Sequence, residues 1–284
     1  MKYAGLIGYP VAHSLSPRMQ QAAFDEYGIE ARYALWETAP DALAGRIASL
    51  RAPEIIGANV TIPYKAKALA LVDERDALAV RVGALNTIVN RDGRLIGYNT
   101  DVQGFIRALS ESAGHLLSGE NNRRAVIAGT GGAARAAALG LLENGFEELV
   151  LLGRTEAHLI QLQRDLQRMA SLSGSAVHIR ARRFGSSDLA TLFARTDLLV
   201  NATPVGLYEN DAPLPLDVTL LPATAVVMDM IFNPPETALL RAAATHGCQT
   251  INGLSMLLYQ GALAFELWTG RDAPVAAMRK ALSG

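Results

Sequence analysis

The stretch that decides the fold is residues 125–133, which read Ala125-Val126-Ile127-Ala128-Gly129-Thr130-Gly131-Gly132-Ala133. An apolar run typical of a buried strand leads directly into a glycine-rich turn, and residues 133–142 then have a helical pattern. Glycine lets the backbone approach a phosphate closely, and the N-terminus of a helix favours an anion. Tight turns also need glycine for steric reasons alone, so the turn is informative because it joins a strand to a helix. The stretch therefore predicts a dinucleotide-binding unit in the middle of the chain.

Strand and helix patterns alternate on both sides of this turn. Downstream, a helix is predicted at 156–169 and strands at 149–152, 177–181, 198–201, 225–228 and 249–251. This alternation favours a parallel sheet with helices on both faces. Upstream, strands at 3–8, 32–36 and 55–62 alternate with helices, the first of which begins at Ser16-Pro17 with Ser16 as its N-cap. Further helices are predicted at 41–50, 65–72, 76–82 and 101–111, a hairpin at 85–98 and a last helix at 254–268. The predicted fold class is α/β.

Composition excludes several classes of function. Half of the 284 residues are hydrophobic and 19% are charged, as in a soluble globular protein with room for two domains. The net charge of −1 gives no electrostatic reason to expect nucleic acid or an anionic membrane as a partner. Cys248 is the one cysteine, which fits a reducing cytoplasm and a buried structural thiol. We expect no signal peptide, no membrane span and, since the five histidines lack ligand spacing, no metal site.

A second set of polar residues follows the apolar stretches of the first hundred residues. Lys65 comes after the run 59–64, and Asn86-Thr87 and Asn99-Thr100-Asp101 follow predicted strands. One amine, one carboxylate and several uncharged groups can bind a small polyhydroxylated molecule and move a proton on one of its hydroxyls. Beside a dinucleotide, this chemistry indicates reversible oxidation of an alcohol. Taken singly, Lys65 is also explained as a surface lysine and Asp101 as the N-cap of the next helix.

The strand after the glycine turn ends at Gly153-Arg154-Thr155. Sites that prefer NAD usually have a carboxylate here for the ribose hydroxyls, whereas an arginine suits the 2′-phosphate of NADP. The alternative for Arg154 is a solvated arginine at a strand end. Glu156, two residues further on, could contact ribose or repel phosphate. NADP is therefore the expected cofactor, with NAD still possible.

Together the motifs resemble the shikimate dehydrogenase family from end to end. Seven segments carry the resemblance, in the order that the family shows: His13-Ser14-Leu15-Ser16-Pro17, residues 57–65, residues 83–87, Asn99-Thr100-Asp101, the glycine turn, residues 201–206, and residues 253–257 continuing to Gln260-Gly261. The resemblance implies an N-terminal α/β substrate-binding domain, a Rossmann-type doubly wound NADP-binding domain and a C-terminal helix that returns to the first domain. The expected ranges are 1–103, 104–248 and 249–284. It also implies NADP-linked interconversion of 3-dehydroshikimate and shikimate, with hydride passing between the domains.

The resemblance assigns roles to individual residues. Lys65 and Asp101 would form the catalytic pair, in which a partly desolvated lysine and an adjacent carboxylate handle the proton. Which of the two carries it stays open. The substrate would be held by two serines at its carboxylate and three residues at its ring hydroxyls, namely Ser14, Ser16, Thr61, Asn86 and Gln260. The cofactor would be held by Gly129, Thr130, Gly131, Gly132, Ala133, Arg154, Thr203, Met230 and Gly253. Helix capping, turn formation and ordinary packing, the last particularly for Met230, are the alternatives at these positions.

The chain departs from the family pattern at several positions. Phe232 stands where the family typically has a tyrosine near the substrate, and the missing hydroxyl puts the choice between shikimate and quinate in doubt. Val102 follows Asp101 in place of the common glycine. Gly153 replaces the usual asparagine, and His158 stands where a second cation is often found, so NADP selectivity is expected to be modest.

These departures leave three hypotheses. The first is an NADP-dependent shikimate dehydrogenase, and the second is a quinate or dual-substrate enzyme that prefers NAD. The third is a non-catalytic protein that binds such metabolites and regulates a partner. Both a monomer and a homodimer remain open.

Overall fold

The computed structural model describes residues 1–118, 123–172, 177–207 and 213–283. Its chain forms two compact units, one made of Met1–Gly104 with Leu257–Gly284 and the other of Phe105–Met256. We call them the first unit and the second unit. Each unit contains one six-stranded sheet.

Twelve strands and eleven α-helices are found in the described residues. The strands are β1 Lys2–Gly8, β2 Ala31–Glu37, β3 Ile55–Val60, β4 Glu74–Arg75, β5 Thr87–Arg91, β6 Arg94–Tyr98, β7 Arg123–Ala128, β8 Phe146–Gly153, β9 His178–Arg183, β10 Leu198–Asn201, β11 Val226–Asp229 and β12 Gln249–Ile251. The helices are α1 Ser16–Glu26, α2 Leu43–Ser49, α3 Lys65–Ala68, α4 Ala77–Val82, α5 Asp101–Ala113, α6 Gly132–Glu143, α7 Glu156–Leu172, α8 Leu189–Phe193, α9 Ala238–His246, α10 Leu254–Thr269 and α11 Val275–Ser283. None of the described helices is long and apolar enough to cross a membrane.

The sheet of the first unit has the order β2-β1-β3-β5-β6-β4. Strand β1 runs parallel to β2 and β3, and β5 and β6 form the predicted antiparallel hairpin. Ile7, Val60, Ile88 and Leu95 lie in one buried core cluster. Because β1 and β3 are parallel, they end at the same edge of the sheet. The chain segments that leave this edge carry Ser14, Thr61 and Lys65.

The C-terminal helices pack on this first unit. The Trp268 indole at the end of α10 donates a hydrogen bond to the carbonyl of Ile88 (3.0 Å), and Gly57 leaves the space that this indole occupies. The buried amide of Gln20 donates to the carbonyl of Gly261 (2.8 Å). These contacts join the middle of α10, next to Gln260, to α1 and the end of α10 to strand β5.

The sheet of the second unit is wholly parallel and has the order β12-β11-β10-β7-β8-β9. From β7 the chain proceeds outward through β8 and β9, then returns to β10 on the other side of β7. This order is that of a doubly wound Rossmann sheet, in which ligands bind at the carboxyl ends of the strands where the direction of winding changes. The predicted α/β class with a Rossmann-type unit is confirmed.

Several details differ from the sequence predictions. Helix α1 begins at Ser16 itself, and the cap position is Leu15, which makes no side-chain hydrogen bond. The predicted capping role of Ser16 is therefore wrong, since its backbone N–H donates to the hydroxyl of Ser14 instead (3.2 Å). Helix α3 is shorter than predicted, and β4, α8, α9 and α11 were not predicted. The glycine and asparagine content of residues 114–122 predicts a polar loop, and part of this stretch lies outside the described residues.

Strand β12 pairs with β11 in the second sheet, whereas the expected ranges placed residues 249–251 in the C-terminal segment. The division between the units falls inside α5 and inside α10. A helix gives no sequence signal where it passes from one unit to another, which is why boundaries at 103 and 248 were the natural expectation.

Candidate active site

Lys65 and Asp101 lie side by side in the first unit. The ammonium nitrogen of Lys65 is 2.6 Å from Oδ2 of Asp101, and their side chains are 18% and 3% exposed. Lys65 begins the short helix α3 and Asp101 begins α5. The side-chain oxygen of Asn99, two residues before α5, accepts hydrogen bonds from the first N–H groups of the helix, those of Asp101 and Val102. The carboxylate of Asp101 is therefore not used to cap its helix and is directed to the lysine.

Asn86 holds this pair from the buried side. Its side-chain nitrogen lies 2.9 Å from Oδ1 of Asp101, 2.9 Å from the Thr100 hydroxyl and 3.3 Å from Oε1 of Gln260. Its side-chain oxygen accepts from the backbone N–H of Thr100 (2.7 Å). An amide group has only two hydrogens for three acceptors. The contact with Gln260 is the longest, so it is the one most easily exchanged for another group.

A buried chain of hydrogen bonds extends from this cluster to α1. The Tyr33 hydroxyl donates to Oδ1 of Asn59 (2.8 Å), and the Asn59 amide donates to the Thr87 hydroxyl (3.1 Å). The Thr87 and Thr100 hydroxyls are 3.4 Å apart. Burial raises the pKa of Tyr33 well above its ordinary value, and a hydrogen bond with Ser16 opposes this rise. No role was predicted from the sequence for Tyr33, or for Asn59 within the motif 57–65, because their hydrogen-bond partners are distant in sequence.

The two serines lie at the α1 end of this chain. The hydroxyls of Ser14 and Ser16 are 3.1 Å apart, and Ser16 is buried while Ser14 is half-buried. Thr61 follows β3, and its N–H donates to the carbonyl of Ile7 (2.8 Å). Neither serine nor Thr61 makes a side-chain hydrogen bond to Lys65 or Asp101 in the part of the chain that the structure describes. The predicted substrate residues thus share one sheet edge, and a hydrogen-bonded cluster joins only some of them directly.

In the second unit, the glycine turn lies between β7 and α6. Gly129 has φ +120°, which side chains rarely allow, and a Cβ there would lie 2.8 Å from the carbonyl oxygen of Ala202. At Gly131, the cap position of α6, a Cβ would meet no atom within 4 Å. The cap makes no side-chain hydrogen bond, so the first N–H groups of α6 have no partner from that residue. This open cradle of glycine backbone fits the pyrophosphate of a dinucleotide.

The other predicted cofactor residues follow the carboxyl ends of the neighbouring strands. Arg154 follows β8 and is exposed, Thr203 follows β10, Met230 follows β11 and Gly253 follows β12. Gly253 lies so close to the carbonyl of Met230 that no side chain would fit. The structure thus brings these residues to one edge of the parallel sheet.

A buried carboxylate, Asp229, organises part of this edge. It accepts hydrogen bonds from the Asn201 amide (3.0 Å), the Thr237 hydroxyl (2.7 Å) and the backbone N–H of Ile231 (3.0 Å). Asn201 in turn accepts from the hydroxyl of Thr203 (2.7 Å), and its backbone carbonyl accepts from the N–H of Met230 (3.0 Å). Burial raises the pKa of Asp229, and its three hydrogen bonds oppose this rise. Sequence reasoning missed Asp229, since a lone aspartate at a strand end is common in proteins and marks no particular role.

Among the described residues, no group of three or more His, Cys, Asp or Glu side chains could hold a metal ion.

A doubly wound sheet with a glycine turn places the second unit in the class of Rossmann-type dinucleotide-binding proteins. Residues 6–88 match the family model described as shikimate dehydrogenase substrate binding domain, and residues 253–282 match that of the shikimate 5'-dehydrogenase C-terminal domain. The chain belongs to the shikimate dehydrogenase family.

Individual relatives cover nearly the whole chain. A shikimate dehydrogenase (NADP(+)) of Symbiobacterium thermophilum is 45% identical over 278 residues, which are 98% of this chain and 92% of the relative. A crystal structure of shikimate 5-dehydrogenase from Thermus thermophilus, in complex with NADP(H) and shikimate, is 37% identical with a TM-score of 0.85 and covers 100% of this chain and 99% of that one. A quinate dehydrogenase from Corynebacterium glutamicum in complex with NAD is 28% identical with a TM-score of 0.87, covering 99% and 98%.

Proposed function

We propose that this protein is an NADP-dependent shikimate dehydrogenase, which reversibly reduces 3-dehydroshikimate to shikimate in the biosynthesis of chorismate and the aromatic amino acids. The observation that carries the proposal is the partly buried contact of 2.6 Å between Lys65 and Asp101, beside Asn86 and Gln260. Family membership and relatives named for this activity support it.

Lys65 is the better candidate for the group that handles the proton. Both oxygens of Asp101 already accept hydrogen bonds, one from Lys65 and one from Asn86. An ammonium group has three donors, and within the described residues Lys65 uses one of them. Lys65 can therefore donate a proton to a ketone oxygen, and the amine that remains can take a proton from the alcohol in the reverse direction. In this proposal, Asp101 fixes the position of the ammonium group.

The substrate is then held by neutral groups around this pair. A ring hydroxyl replaces the long contact between Asn86 and Gln260, which leaves both amides bound to substrate. Thr61, at the same sheet edge, offers one further hydroxyl. The adjacent hydroxyls of Ser14 and Ser16 bind the carboxylate of the substrate, since hydroxyl donors at a helix start favour an anion.

The second unit fits NADP through its glycine cradle at residues 129–133 and the exposed guanidinium of Arg154. When bound, NADP accepts the hydride equivalent from the alcohol carbon or returns it to the ketone. Gly131 leaves room for the pyrophosphate, and the positive φ of Gly129 allows the tight turn that precedes it. Thr203, Met230 and Gly253 line the same sheet edge. Arg154 favours a 2′-phosphate by its charge.

The test is steady-state turnover of the purified chain with four combinations, shikimate or quinate with NADP or NAD. Shikimate with NADP is expected to give the highest kcat/KM. Absence of reduction of either cofactor with shikimate would defeat the proposal. All four combinations are measured at the same buffer, pH and protein concentration, so that their kcat/KM values are directly comparable.

The second candidate is a quinate or dual-substrate dehydrogenase that uses NAD. Phe232, half-buried in the segment after β11, and the similarity to a quinate dehydrogenase bound to NAD favour it. A higher kcat/KM for quinate with NAD than for shikimate with NADP would select this candidate. Metabolite binding without any turnover would instead favour a non-catalytic regulator, against which the intact Lys65–Asp101 pair argues.

A cytoplasmic location belongs to the proposal and rests on the composition, with its single cysteine. A monomer and a homodimer are both compatible with it, and sedimentation at two protein concentrations distinguishes them.

A further inference from the structure

Strand β9 carries three arginines within four residues, and they differ in how they are neutralised. Arg180 lies 3.1 Å from Glu148, and Arg182 lies 2.6 Å from Asp188. The side chain of Arg183 is exposed and has no ion pair or hydrogen bond with any residue that the structure describes. The carboxyl end of β9 therefore presents one positive charge that no described residue compensates.

The register of the sheet places Arg183 next to the predicted 2′-phosphate residue. β8 and β9 pair in parallel, and the Cα partner of Arg183 is Gly153, directly before Arg154. The pairing continues past the strand end, where the N–H of Phe184 donates to the carbonyl of Gly153 (3.3 Å). Neighbouring strands are about 4.8 Å apart, a distance that an arginine side chain easily spans. Arg154 and Arg183 thus leave two adjacent strands at the same edge.

Arg183 also lies on the face of the sheet that carries the glycine turn. A Cβ on Gly153 would lie 3.1 Å from Leu159 of α7 and 3.2 Å from Thr130 in the glycine turn. Paired residues of parallel strands direct their side chains to the same face, so Arg183 leaves the sheet on the side of α7 and the turn. Side chains alternate along a strand, so Arg182 points to the opposite face, where Asp188 neutralises it.

The charges near the end of β8 explain why a second cation matters for binding a 2′-phosphate. Around the end of β8, the described charged groups nearest in sequence are Arg154 and Glu156, both exposed and opposite in sign. A 2′-phosphate brings further negative charge, and Arg154 alone would have to offset both it and Glu156. A second guanidinium would give the excess of positive charge that an NADP site needs, because arginine binds phosphate through several directed donors.

We propose that Arg183 is the second cation for the 2′-phosphate of NADP, and so a specificity-determining residue on β9 that acts with Arg154. The inference rests on the proposed function only in taking NADP as the cofactor. Arg183 contacts the phosphate and leaves the rest of the dinucleotide untouched, so it contributes to the choice between NADP and NAD without taking part in the reaction.

The experiment measures binding, by isothermal titration calorimetry of the full chain with adenosine 2′,5′-bisphosphate and with adenosine 5′-monophosphate. Arg183→Gln is expected to weaken binding of the bisphosphate by roughly tenfold and to change binding of the monophosphate by less than about twofold. Arg183→Lys should restore part of the loss, because the charge returns without the planar fork. Arg164→Gln is the matched control, since Arg164 is an exposed arginine further along α7, and it should leave both affinities unchanged.

Steady-state kinetics of the same variant provide a second measurement beside the titration. Arg183→Gln should raise KM for NADP by about the same factor as in the titration, with kcat at saturating NADP and KM for NAD unchanged. Unaltered bisphosphate binding in Arg183→Gln, or an equal loss for both nucleotides, would overturn the inference. A wild-type chain that does not prefer the bisphosphate would overturn it as well. If the wild-type chain prefers the bisphosphate but does not oxidise shikimate, the inference about Arg183 stands and the proposed function is wrong.

Discussion

Each unit buries one carboxylate that accepts a hydrogen bond from an asparagine amide, and the two carboxylates differ in the other side chain that donates to them. In the first unit, Asp101 accepts from Asn86 at 2.9 Å and from the ammonium of Lys65 at 2.6 Å. In the second unit, Asp229 accepts from Asn201 at 3.0 Å and from the neutral hydroxyl of Thr237 at 2.7 Å. The first cluster contains a cation with unused donors. The second contains only neutral donors.

The cluster around Asp101 can therefore exchange hydrogen-bond partners with a ligand, whereas the cluster around Asp229 holds the backbone in place. Lys65 is partly exposed, and among the described residues it donates only to Asp101, so a ligand can bind its remaining donors without breaking that contact. Asp229 is fully buried, and its partners are Asn201 at the end of β10 and Ile231 and Thr237 in the segment after β11. We therefore expect substitutions in the first cluster to alter turnover most, and substitutions in the second to alter stability most.

The largest effect is expected for Lys65→Ala. Loss of the group that handles the proton should lower kcat by on the order of 10²-fold or more, while KM for shikimate changes little. The matched control is Lys67→Ala, two residues further along α3, where the lysine is exposed. Steady-state kinetics of both variants decide the matter. Near-normal turnover of Lys65→Ala would remove this lysine from the mechanism.

Asp229→Ala is expected to give the largest loss of stability. The change leaves the Asn201 amide, the Thr237 hydroxyl and the N–H of Ile231 without their acceptor inside the protein. Since each buried group without a partner costs ~1–3 kcal/mol, the free energy of unfolding should fall by about 3 kcal/mol or more. Denaturant titration of wild type and variant measures it.

The control for this substitution is Asp217→Ala, because Asp217 is an exposed carboxylate that accepts hydrogen bonds from Thr219. It should cost much less stability than Asp229→Ala. Equal losses in the two variants would mean that the Asp229 network has no special structural role.

Tyr33→Phe should give a smaller effect of the same kind in the first unit. The change removes the only described donor to the buried side-chain oxygen of Asn59, which should cost ~1–3 kcal/mol of unfolding free energy. The expected change in kcat is far smaller than for Lys65→Ala, since Tyr33 reaches the catalytic pair only through other side chains. The control is Tyr27→Phe, whose hydroxyl is exposed and bonds to the carbonyl of Asp272. A loss of turnover comparable with that of Lys65→Ala would assign Tyr33 a direct part in the chemistry.

Local motifs account for the parts of these clusters that could be predicted from the sequence. The turn at Gly129 was predictable because a run of glycines between a strand and a helix is typical of phosphate binding. Lys65, Asn86 and Asp101 were predictable because they occur in short motifs that resemble a family. Their proximity in space was an inference from that resemblance, and no spacing in the sequence required it.

The remaining features depend on contacts between distant residues. Tyr33 and Asn59 are 26 residues apart, and the partners of Asp229 lie on other segments. Strand β4 has only two residues and exists because neighbouring backbone groups pair with β6. Arg183 has no local motif around it, since only the pairing of β8 with β9 places it beside Gly153. Such features follow from the assembled sheet, and the local sequence carries little sign of them.

The smallest expected effect is a pH dependence that distinguishes Asp229 from an exposed carboxylate. Burial raises the pKa of Asp229 above its ordinary 3.8, so above pH 3.8 the folded state keeps a proton that the unfolded chain has lost. Stability then falls as pH rises through this window, by at most about 1.4 kcal/mol per pH unit. Asp229→Asn lacks this dependence, so the stability of wild type relative to the variant should decrease as pH rises from 3.8. Denaturant titrations of both proteins at several pH values from 3.8 up to about neutral measure the change.

Asp73 supplies the opposite sign within the same chain. Its hydrogen bonds from the Arg51 guanidinium lower the pKa of Asp73 to about 2, so the stability it contributes is present above pH 3.8 and is lost as pH falls through 2. Asp73→Asn should therefore differ from wild type at neutral pH and converge with it in acid. A relative stability of Asp229→Asn that stays constant or moves in the direction of Asp73→Asn would show that the neutral donors around Asp229 outweigh its burial.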